Sequence, residues 1–597
     1  MKILEKGNVT LVTFFEKYKE LITISLIAII VSLFCLPLFK NPLNTSLDSD
    51  WNQMYSYFYF SRNAIINIHQ FPLQCPYFGG GYPLVANPQD LSLSPLFIII
   101  LLAGEVIGSK IICLLAYFFC AFGMYYLCKK ILKFSQLGAL FSSLSLTLSS
   151  WLPNQLNGGN FANIYYYFVP LLIVFIMKSR EQKKFIIYSS FLLTVMLLQG
   201  SLGFLAICLF LFIYFAFSQF DAEDAIRGSC LKYLLAIVLI SLLIGAVKFI
   251  PMLELLHQNP RKVEYGLVLE NSWNIKYFLE SLIQKKYYCR STIYMGYGTV
   301  FLALVAFIFA FRRMKGTLLV FLIIATILFG QNSSINIAKI LYRIPLFNSM
   351  GKLNEYYSFF IAFISCLAAG ASFKLLSKKS RIFTVLLFFL VIFNTFDIFV
   401  NNISFHENIF NSKAADSGNG KNDFAQAMIT NNNERRYAGA YLQYKLLEKN
   451  IGLINWYGDI YLKESAIPKY LMTIDSADKP FLTGVTNNPQ YKGELFFLNN
   501  EKNLATYEQF TPNVIKIKAI VNTPDKLVIN QNFNLAWRIN YNQLCSWNGL
   551  LAINIDHPGE YSFKLEYRPL SFFIGMFISV VSMLVSIFAL KLIQKTK

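Results

Sequence analysis

Twelve apolar runs, most of them near the length of a bilayer-spanning helix, leave this 597-residue sequence few possible folds. A spanning helix needs about 20 apolar residues. The runs fall near 21–40, 108–128, 135–151, 162–178, 185–199, 201–218, 232–250, 294–311, 317–330, 355–375, 382–400 and 569–591. Backbone inside a bilayer must satisfy its own polar groups, so each run is expected to be helical. The stretch from Leu91 to Ala103 is too short to span alone and reads as a re-entrant or interfacial segment. Charged residues make up 14% of the chain and hydrophobic ones 55%, against roughly 25% charged in a soluble globular protein. A soluble enzyme, a disordered scaffold and a secreted disulfide scaffold are excluded. The class is a polytopic α-helical membrane protein.

The net charge of +20 would suit a nucleic-acid binder only if it formed a basic face on a folded surface. Instead it is parcelled into short clusters between the runs. These are Lys129, Lys130 and Lys133; Lys178, Arg180, Lys183 and Lys184; Arg312, Arg313 and Lys315; Lys374, Lys378, Lys379 and Arg381; and Lys591, Lys595 and Lys597. They lie at alternate ends of successive runs, as the positive-inside rule requires. With Lys2, Lys6, Lys17 and Lys19 holding the N-terminus in the cytoplasm, twelve crossings place every cluster and the C-terminus inside. The first run lacks a small-residue cleavage site and reads as a retained span rather than a signal peptide. No nucleic-acid partner is expected.

Residues 1–400 therefore form a multi-span membrane domain, 401–568 an extracytoplasmic domain, and 569–597 a last span with a cytoplasmic tail. Two further external segments are expected at 41–92 and 251–292. Within 401–568, a polar stretch at 411–422 precedes alternating runs at 514–521, 527–529, 536–539, 550–555 and 561–565, separated by turn signals such as Trp547-Asn548-Gly549. A β-rich domain, sandwich-like toward its end, is expected. Most cysteines lie in or beside spans and act as small apolar residues; Cys75, Cys289 and Cys545 lie outside, and spacing leaves a Cys75–Cys289 bridge open.

Ionisable groups are scarce in the spans, Lys248 and Asp397 being the clearest, which disfavours an ion-coupled transporter. Chemistry-bearing residues collect in the external loops, most informatively in Asp48-Ser49-Asp50-Trp51-Asn52-Gln53. On extended backbone, carboxylates at i and i+2 project to one side. There one member can take a hydroxyl proton while the other orients it or holds a cation. The alternative is structural: Asp50 with Gln53 has the spacing of a capping box, with Asp50 capping a helix over 51–66. Trp51, Tyr55, Phe58 and Tyr59 recur along that helix, either as an interfacial aromatic face or as packing against the spans. Gly79-Gly80-Gly81 allows a tight turn or close approach to a ligand. Asn87, Gln89 and Asp90 are candidate sugar-hydroxyl ligands.

A first span, an external loop with an early Asp-x-Asp, many further spans and a C-terminal external domain resemble the GT-C superfamily of integral-membrane glycosyltransferases. More narrowly, the chain is similar to the YfhO family of bacterial membrane proteins. That likeness rests on Gly79-Gly80-Gly81-Tyr82-Pro83, Asn87-Pro88-Gln89, Pro345-Leu346-Phe347-Asn348, Asn513-Val514-Ile515, Ala536-Trp537-Arg538, His557-Pro558-Gly559-Glu560-Tyr561 and Tyr567-Arg568-Pro569. Relatives tend to carry an arginine soon after the Phe-Asn pair, where this chain has Lys352, a point charge in place of a forked guanidinium. The resemblance implies inverting sugar transfer on the outer face of the bacterial cytoplasmic membrane. The donor would be a sugar on undecaprenyl phosphate or another polyprenyl phosphate, and the acceptor a cell-envelope glycopolymer such as teichoic or lipoteichoic acid. Asp50, or Asp48, would be the base; the same two aspartates would hold Mg²⁺ or Mn²⁺ if a metal takes part. Arg261, Arg290, Lys352 and His257 would meet the donor phosphate, and Glu254 the substrate beside Asn87, Gln89 and Asp90. A lipid-linked saccharide flippase or exporter and a non-catalytic envelope assembly factor are the competing readings.

Overall fold

The structure, a computed structural model, describes residues 2–46, 48–200, 203–218, 230–261, 271–283, 292–350, 353–377, 380–412, 423–431, 435–458, 460–463, 465–475 and 482–595. The polar stretch 411–422 and the Cys75–Cys289 pairing fall wholly or partly outside them.

Over the described residues, helix covers most of each of the twelve apolar runs. The membrane part contains α1 (Lys2–Cys35), α2 (Ser49–Ile66), α3 (Phe97–Tyr126), α4 (Gln136–Thr147), α5 (Trp151–Asn157), α6 (Val169–Lys178), α7 (Lys184–Leu198), α8 (Gly203–Phe217), α9 (Cys230–Ile244) and α10 (Ala246–Gln258). It continues with α11 (Ile275–Ile283), α12 (Tyr297–Phe309), α13 (Phe311–Phe329), α14 (Ile337–Tyr342), α15 (Leu353–Ser377) and α16 (Arg381–Ile409). Among the described residues seven helical stretches are long and apolar enough to cross a membrane: Tyr18–Phe39, Phe97–Ile131, Phe161–Lys178, Phe311–Asn332, Leu353–Leu376, Ile382–Ile409 and Leu570–Lys595. An eighth is added if α9 and α10, bent by 80° at Gly245, count as one span. Among the described residues the count of twelve crossings is thus not confirmed. The 12-residue α4, the 15-residue α7 and α8 and the 13-residue α12 rise only about 18–23 Å, short of the ~30 Å hydrocarbon core.

The second half of the stretch 91–103 is a short helical segment, the opening of α3, set off from the helix that follows it by a break at Gly104 (φ 81°, ψ 167°). Two ends of the bundle separate clearly. At one, Lys130 pairs with Glu20 at 2.8 Å and the Gln136 amide donates to the Lys19 carbonyl. At the other lie α2, α5 and everything between α16 and the last helix, α18 (Leu570–Lys595).

That intervening region comprises two units. The first is an α/β layer missed at the sequence level: β1 (Ala425–Ile429), α17 (Arg435–Glu448), β2 (Ile451–Leu453), β3 (Tyr470–Ile474) and β4 (Leu482–Asn487), in sheet order β2-β1-β3-β4. β1 runs parallel to both β2 and β3, and β4 antiparallel to β3. The second is the sandwich. One sheet orders β10 (Leu544–Trp547), β11 (Leu550–Ile555), β8 (Asp525–Asn532) and β5 (Leu495–Phe497). The other orders β6 (Leu504–Phe510), β7 (Val514–Val521), β12 (Gly559–Tyr567) and β9 (Trp537–Ile539). Period-2 alternation drives this packing. On β7, Ile515, Ile517, Ala519 and Val521 are buried, and they meet Leu527, Ile529, Leu551 and Ile553 of the facing sheet in one core.

The triple glycine joins both units to the membrane part. Gly79, Gly80 and Gly81 all have positive φ (60°, 79° and 122°), the left-handed region that side chains resist. The Asn532 amide donates to the carbonyls of Gly79 (2.6 Å) and Gly81 (3.3 Å), and Trp456 stacks on Phe78 at 5.1 Å. Of the two sequence-level alternatives, turn and domain packing is the one realised. A Cβ on Gly80 would stand 2.3 Å from the Ala466 Cβ. Gly80→Ala is therefore expected to cost about 3 kcal/mol from overpacking and left-handed strain. It should lower the melting temperature of the purified protein and hasten protease release of the β-rich region; unchanged melting would refute the contact.

Glu494 lies where the two units meet. It accepts from the Tyr491 hydroxyl (2.9 Å) and the Asn530 amide (3.3 Å). Burial pushes its carboxyl up to about 7, against the pull of those hydrogen bonds and of Lys469. A carboxyl whose pKa is raised on folding favours the folded state below its unfolded value of about 4.3, and that contribution is lost as pH rises through about 7. Thermal stability should therefore decline between pH 5 and 7.5, and Glu494→Gln should flatten that decline. An unaltered slope in the variant would exclude Glu494 as its source.

Candidate functional site

The first external segment begins under tight control. Lys110 of α3, fully buried, donates to the carbonyls of Asn41, Pro42 and Asn44, each at 2.9 Å, and sits 4.4 Å from the centre of the Phe410 ring. Thr45 and Ser412 exchange backbone hydrogen bonds (2.8 and 3.1 Å), fastening the segment to the end of α16. The chain then turns into α2 with the two aspartates at its first turn.

Here the capping assignment changes. Asp48, not Asp50, caps α2: its backbone is extended (φ −67°, ψ 142°) and its Oδ1 accepts from the Asp50 N–H at 2.8 Å. The i, i+2 pair on continuous extended backbone is therefore not formed, because Asp50 is already helical. Its Oδ1 accepts instead from the Tyr457 hydroxyl at 2.8 Å, a contact reaching from the loop after β2. Both acids lie against Gly159, where a Cβ would come within 2.3 Å of the Asp48 Oδ1 and 2.4 Å of the Asp50 Cβ. Gly159 adopts φ 77° and belongs to a turn rich in amides. In it the Asn160 and Asn163 side chains both donate to the Gln155 Oε1 (3.0 and 2.9 Å). Trp51 seals the floor, donating its indole N–H to the Leu156 carbonyl at 2.6 Å and packing on Phe161 and Phe410.

Helix α2 itself is not interfacial. Trp51, Asn52, Gln53, Met54, Tyr55, Ser56, Tyr57 and Phe58 are all buried, covering every face. It is packed against α3 and α17, with Tyr55 and Tyr59 both touching the Tyr444 ring.

Asn87, Gln89 and Asp90 share one packed turn. Lys248 of α10, 1% exposed, donates to the carbonyls of Val85 (3.1 Å), Asn87 (2.5 Å) and Asp90 (2.9 Å), and its ammonium lies 3.7 Å from the Asp90 carboxylate. Asp90 also accepts from Ser92 and Ser61, and the Asn87 Oδ1 accepts from the Gln89 N–H. Asp90 is thus committed to a buried ion pair. Asp397, the carboxylate singled out with Lys248 in the spans, accepts from Tyr294 and from the Asn401 amide.

Glu254 and His257 are exposed on α10, beside the turn at 84–86 and the last helix. Arg261 is half-buried just beyond, and its carbonyl accepts from the Ser349 hydroxyl at 2.7 Å, which brings it to the segment leading into Lys352. Lys352 and Arg290 lie outside the described residues.

A lipid-facing groove of about 460 Å³ opens between α1, α4 and α16, lined by Leu26, Ile30, Leu33, Leu144, Phe396 and Phe399 among others. At its upper end Phe399 meets Phe34, and Phe34 meets His406. Phe410, the residue that ends α16, packs on Trp51 at 5.0 Å, next in sequence to Asp50. Sequence reasoning missed Lys110, Tyr457 and the amide turn. For the last, Asn154, Gln155, Asn157, Asn160 and Asn163 within ten residues between apolar runs were a readable signal.

No family model and no curated protein matches the chain. Among solved structures, archaeal oligosaccharyltransferase AglB from Archaeoglobus fulgidus, in complex with an inhibitory peptide and a dolichol-phosphate, gives a TM-score of 0.43 at 11% identity. That match covers 77% of this chain and 70% of the other. The Archaeoglobus fulgidus oligosaccharyltransferase tethered by a disulfide to an acceptor peptide containing the NVT sequon gives 0.44 at 9%, over 74% and 64%. Its complex with Zn and sulfate gives 0.44 at 9%, over 72% and 62%. The chain thus spans a little under two thirds of the length of these last two. At such values the functional reading rests on this chain's own residues.

Proposed function

We propose that this multi-pass membrane protein is a glycosyltransferase of the GT-C kind, moving a sugar from a polyprenyl-phosphate carrier to an envelope glycopolymer. One observation carries the reading: two aspartates at the start of a buried helix, with Phe410 at the end of α16 packed on Trp51 beside them, and a groove open to the surface along that same helix α16. The groove suits an isoprenoid tail, and the polar turn at 154–163 suits sugar hydroxyls.

In the proposed step the acceptor hydroxyl oxygen attacks the anomeric carbon as the bond from that carbon to the phosphate oxygen breaks. Asp50 takes the hydroxyl proton, and the carrier phosphate leaves with the bonding electrons, so configuration inverts. The Tyr457 hydrogen bond fixes the carboxylate's orientation. Asp48 holds the start of α2, where the helix dipole favours both negative charges. Arg261, His257, Arg290 and Lys352 are the candidate cations that would offset charge on the departing phosphate.

Carboxylate oxygens are the hard donors that Mg²⁺ and Mn²⁺ take. Among the described residues no group of three or more His, Cys, Asp or Glu gathers to hold a metal alone. Asp48 and Asp50 fit an ion of the kind bound by one or two carboxylates plus substrate phosphate, and such an ion would neutralise charge on the departing group.

The flippase reading needs a polar path, whereas Lys248 is locked in a cage of carbonyls and Asp90. The test is the purified protein in nanodiscs with polyprenyl-phosphate sugars and a teichoic acid acceptor. Release of the polyprenyl phosphate together with labelled acceptor is expected. Transbilayer movement of intact donor with no bond cleavage would replace the proposal by the flippase.

A further inference from the structure

At the basic end of the bundle a second groove, of about 320 Å³, lies between α3 and α6. Leu115, Phe118, Phe122 and Tyr126 line it as a single helical stripe on α3, with Leu171 opposite. Gly123 makes the arrangement possible, since a Cβ there would stand 2.8 Å from the Leu171 nitrogen. From Leu115 to Tyr126 the stripe rises about 17 Å, close to half of a ~30 Å hydrocarbon core and so the depth of one leaflet.

The groove ends on cations. Lys178 donates to the Tyr126 hydroxyl at 2.5 Å and lies over the Tyr126 and Phe185 rings at 4.5 and 5.2 Å. Lys184 lies over the same Phe185 ring at 5.7 Å, so one aromatic ring has two ammoniums beside it. Lys129, Arg180 and Lys183 follow in the flanking turns. Lys130 is paired with Glu20, but among the described residues none of these other five has a carboxylate partner.

We propose that this groove binds an anionic phospholipid, with one acyl chain along the Leu115–Tyr126 stripe and the phosphate between Lys178 and Lys184. Charge complementarity selects the occupant. An apolar slot one leaflet deep would take any acyl chain, but unneutralised lysines at its mouth discriminate against zwitterionic head groups. The expected sidedness agrees, because these clusters are the ones that the positive-inside pattern puts in the cytoplasm, where anionic lipids attract basic segments.

The test is native mass spectrometry of the full-length, delipidated protein titrated with phosphatidylglycerol, with phosphatidylcholine, and with phosphatidylglycerol in excess inorganic phosphate. Phosphatidylglycerol should be retained preferentially and resist phosphate competition. Lys178→Gln with Lys184→Gln should weaken it about 25-fold, at about 5-fold per lysine, and leave phosphatidylcholine unchanged. Lys178→Arg with Lys184→Arg should preserve binding, and Leu115→Trp should weaken both lipids by filling the slot. Equal retention of the two lipids by wild type, or displacement by inorganic phosphate alone, would overturn the proposal. Neither outcome bears on sugar transfer.

Discussion

Asp50→Asn is expected to lower sugar transfer by about 100- to 10,000-fold, the range that a positioned general base supplies. The variant keeps the side chain's shape and its hydrogen bond with Tyr457, because an amide oxygen accepts as a carboxylate does. What it removes is the capacity to take a proton. Transfer measured in membranes, with protein amount and melting temperature checked alongside, should show a fallen kcat with donor KM near the wild-type value. Full transfer in this variant would remove Asp50 from the chemistry.

Asp48→Asn separates capping from charge. Asn caps a helix about as well as Asp, and the cap here is one acceptor to the Asp50 N–H. Stability should therefore hold within about 0.5 kcal/mol, so a loss of transfer reports the missing charge rather than a frayed helix. Tyr457→Phe makes the graded comparison. It leaves the base in place without the hydroxyl that orients it, and a loss of about tenfold is expected, one hydrogen bond to a charged group being worth about 1.5 kcal/mol.

Helix positions were legible because long apolar runs admit little else. Over the described residues helix covers most of each of the twelve, yet the number of crossings was not legible. Whether α4 or α12 traverses a bilayer depends on neighbours that bury its ends, and α4 packs against α3 and α15 in a way no local run encodes. The second half of the β domain was readable from alternation and turn signals. The α/β layer before it was not, since β1, β2 and β3 are 3–5 residues long and their parallel pairing is set across a helix.

Within the site, the aspartates stood out by spacing, but the helix cap falls on Asp48 and not on Asp50. A capping box is read from residue type at Ncap and N3; both aspartates suit Ncap, but only Asp50 has a glutamine three residues on, and that signal pointed to a helix start two residues too late. Tyr457 was invisible because it is 407 residues from Asp50 in the chain. Lys110, at the start of its run, carries no local signal of its role. Only the fold shows three carbonyls turned onto its ammonium. Lys248 was noticed as an ionisable group in a span, and its partners, all in the turn at 85–90, convert it from a transport candidate into a brace.

That brace sets the second large expectation. Lys248→Met should destabilise the protein by about 3–5 kcal/mol, the cost of leaving a buried charge without its partner, and most of the protein should be lost from membranes. Burial already pushes the Asp90 carboxyl above the usual carboxylate range, with Lys248 and the serines pulling it back, so removing the ammonium takes away the counter-charge that offsets its burial. Adding Asp90→Asn to Lys248→Met should then recover only part of the loss. The charge is gone, but the carbonyls of Val85, Asn87 and Asp90 still face an apolar side chain, at about 1–3 kcal/mol for each unsatisfied group. Lys248→Arg is the informative control, since it keeps the charge in a longer, planar head that fits three converging carbonyls poorly. The measurement is protein yield and melting temperature across these variants. Wild-type stability in Lys248→Met would show that the turn at 85–90 holds its shape without the lysine; full recovery in the double variant would show that the ion pair, and not the carbonyl cage, is what the lysine contributes.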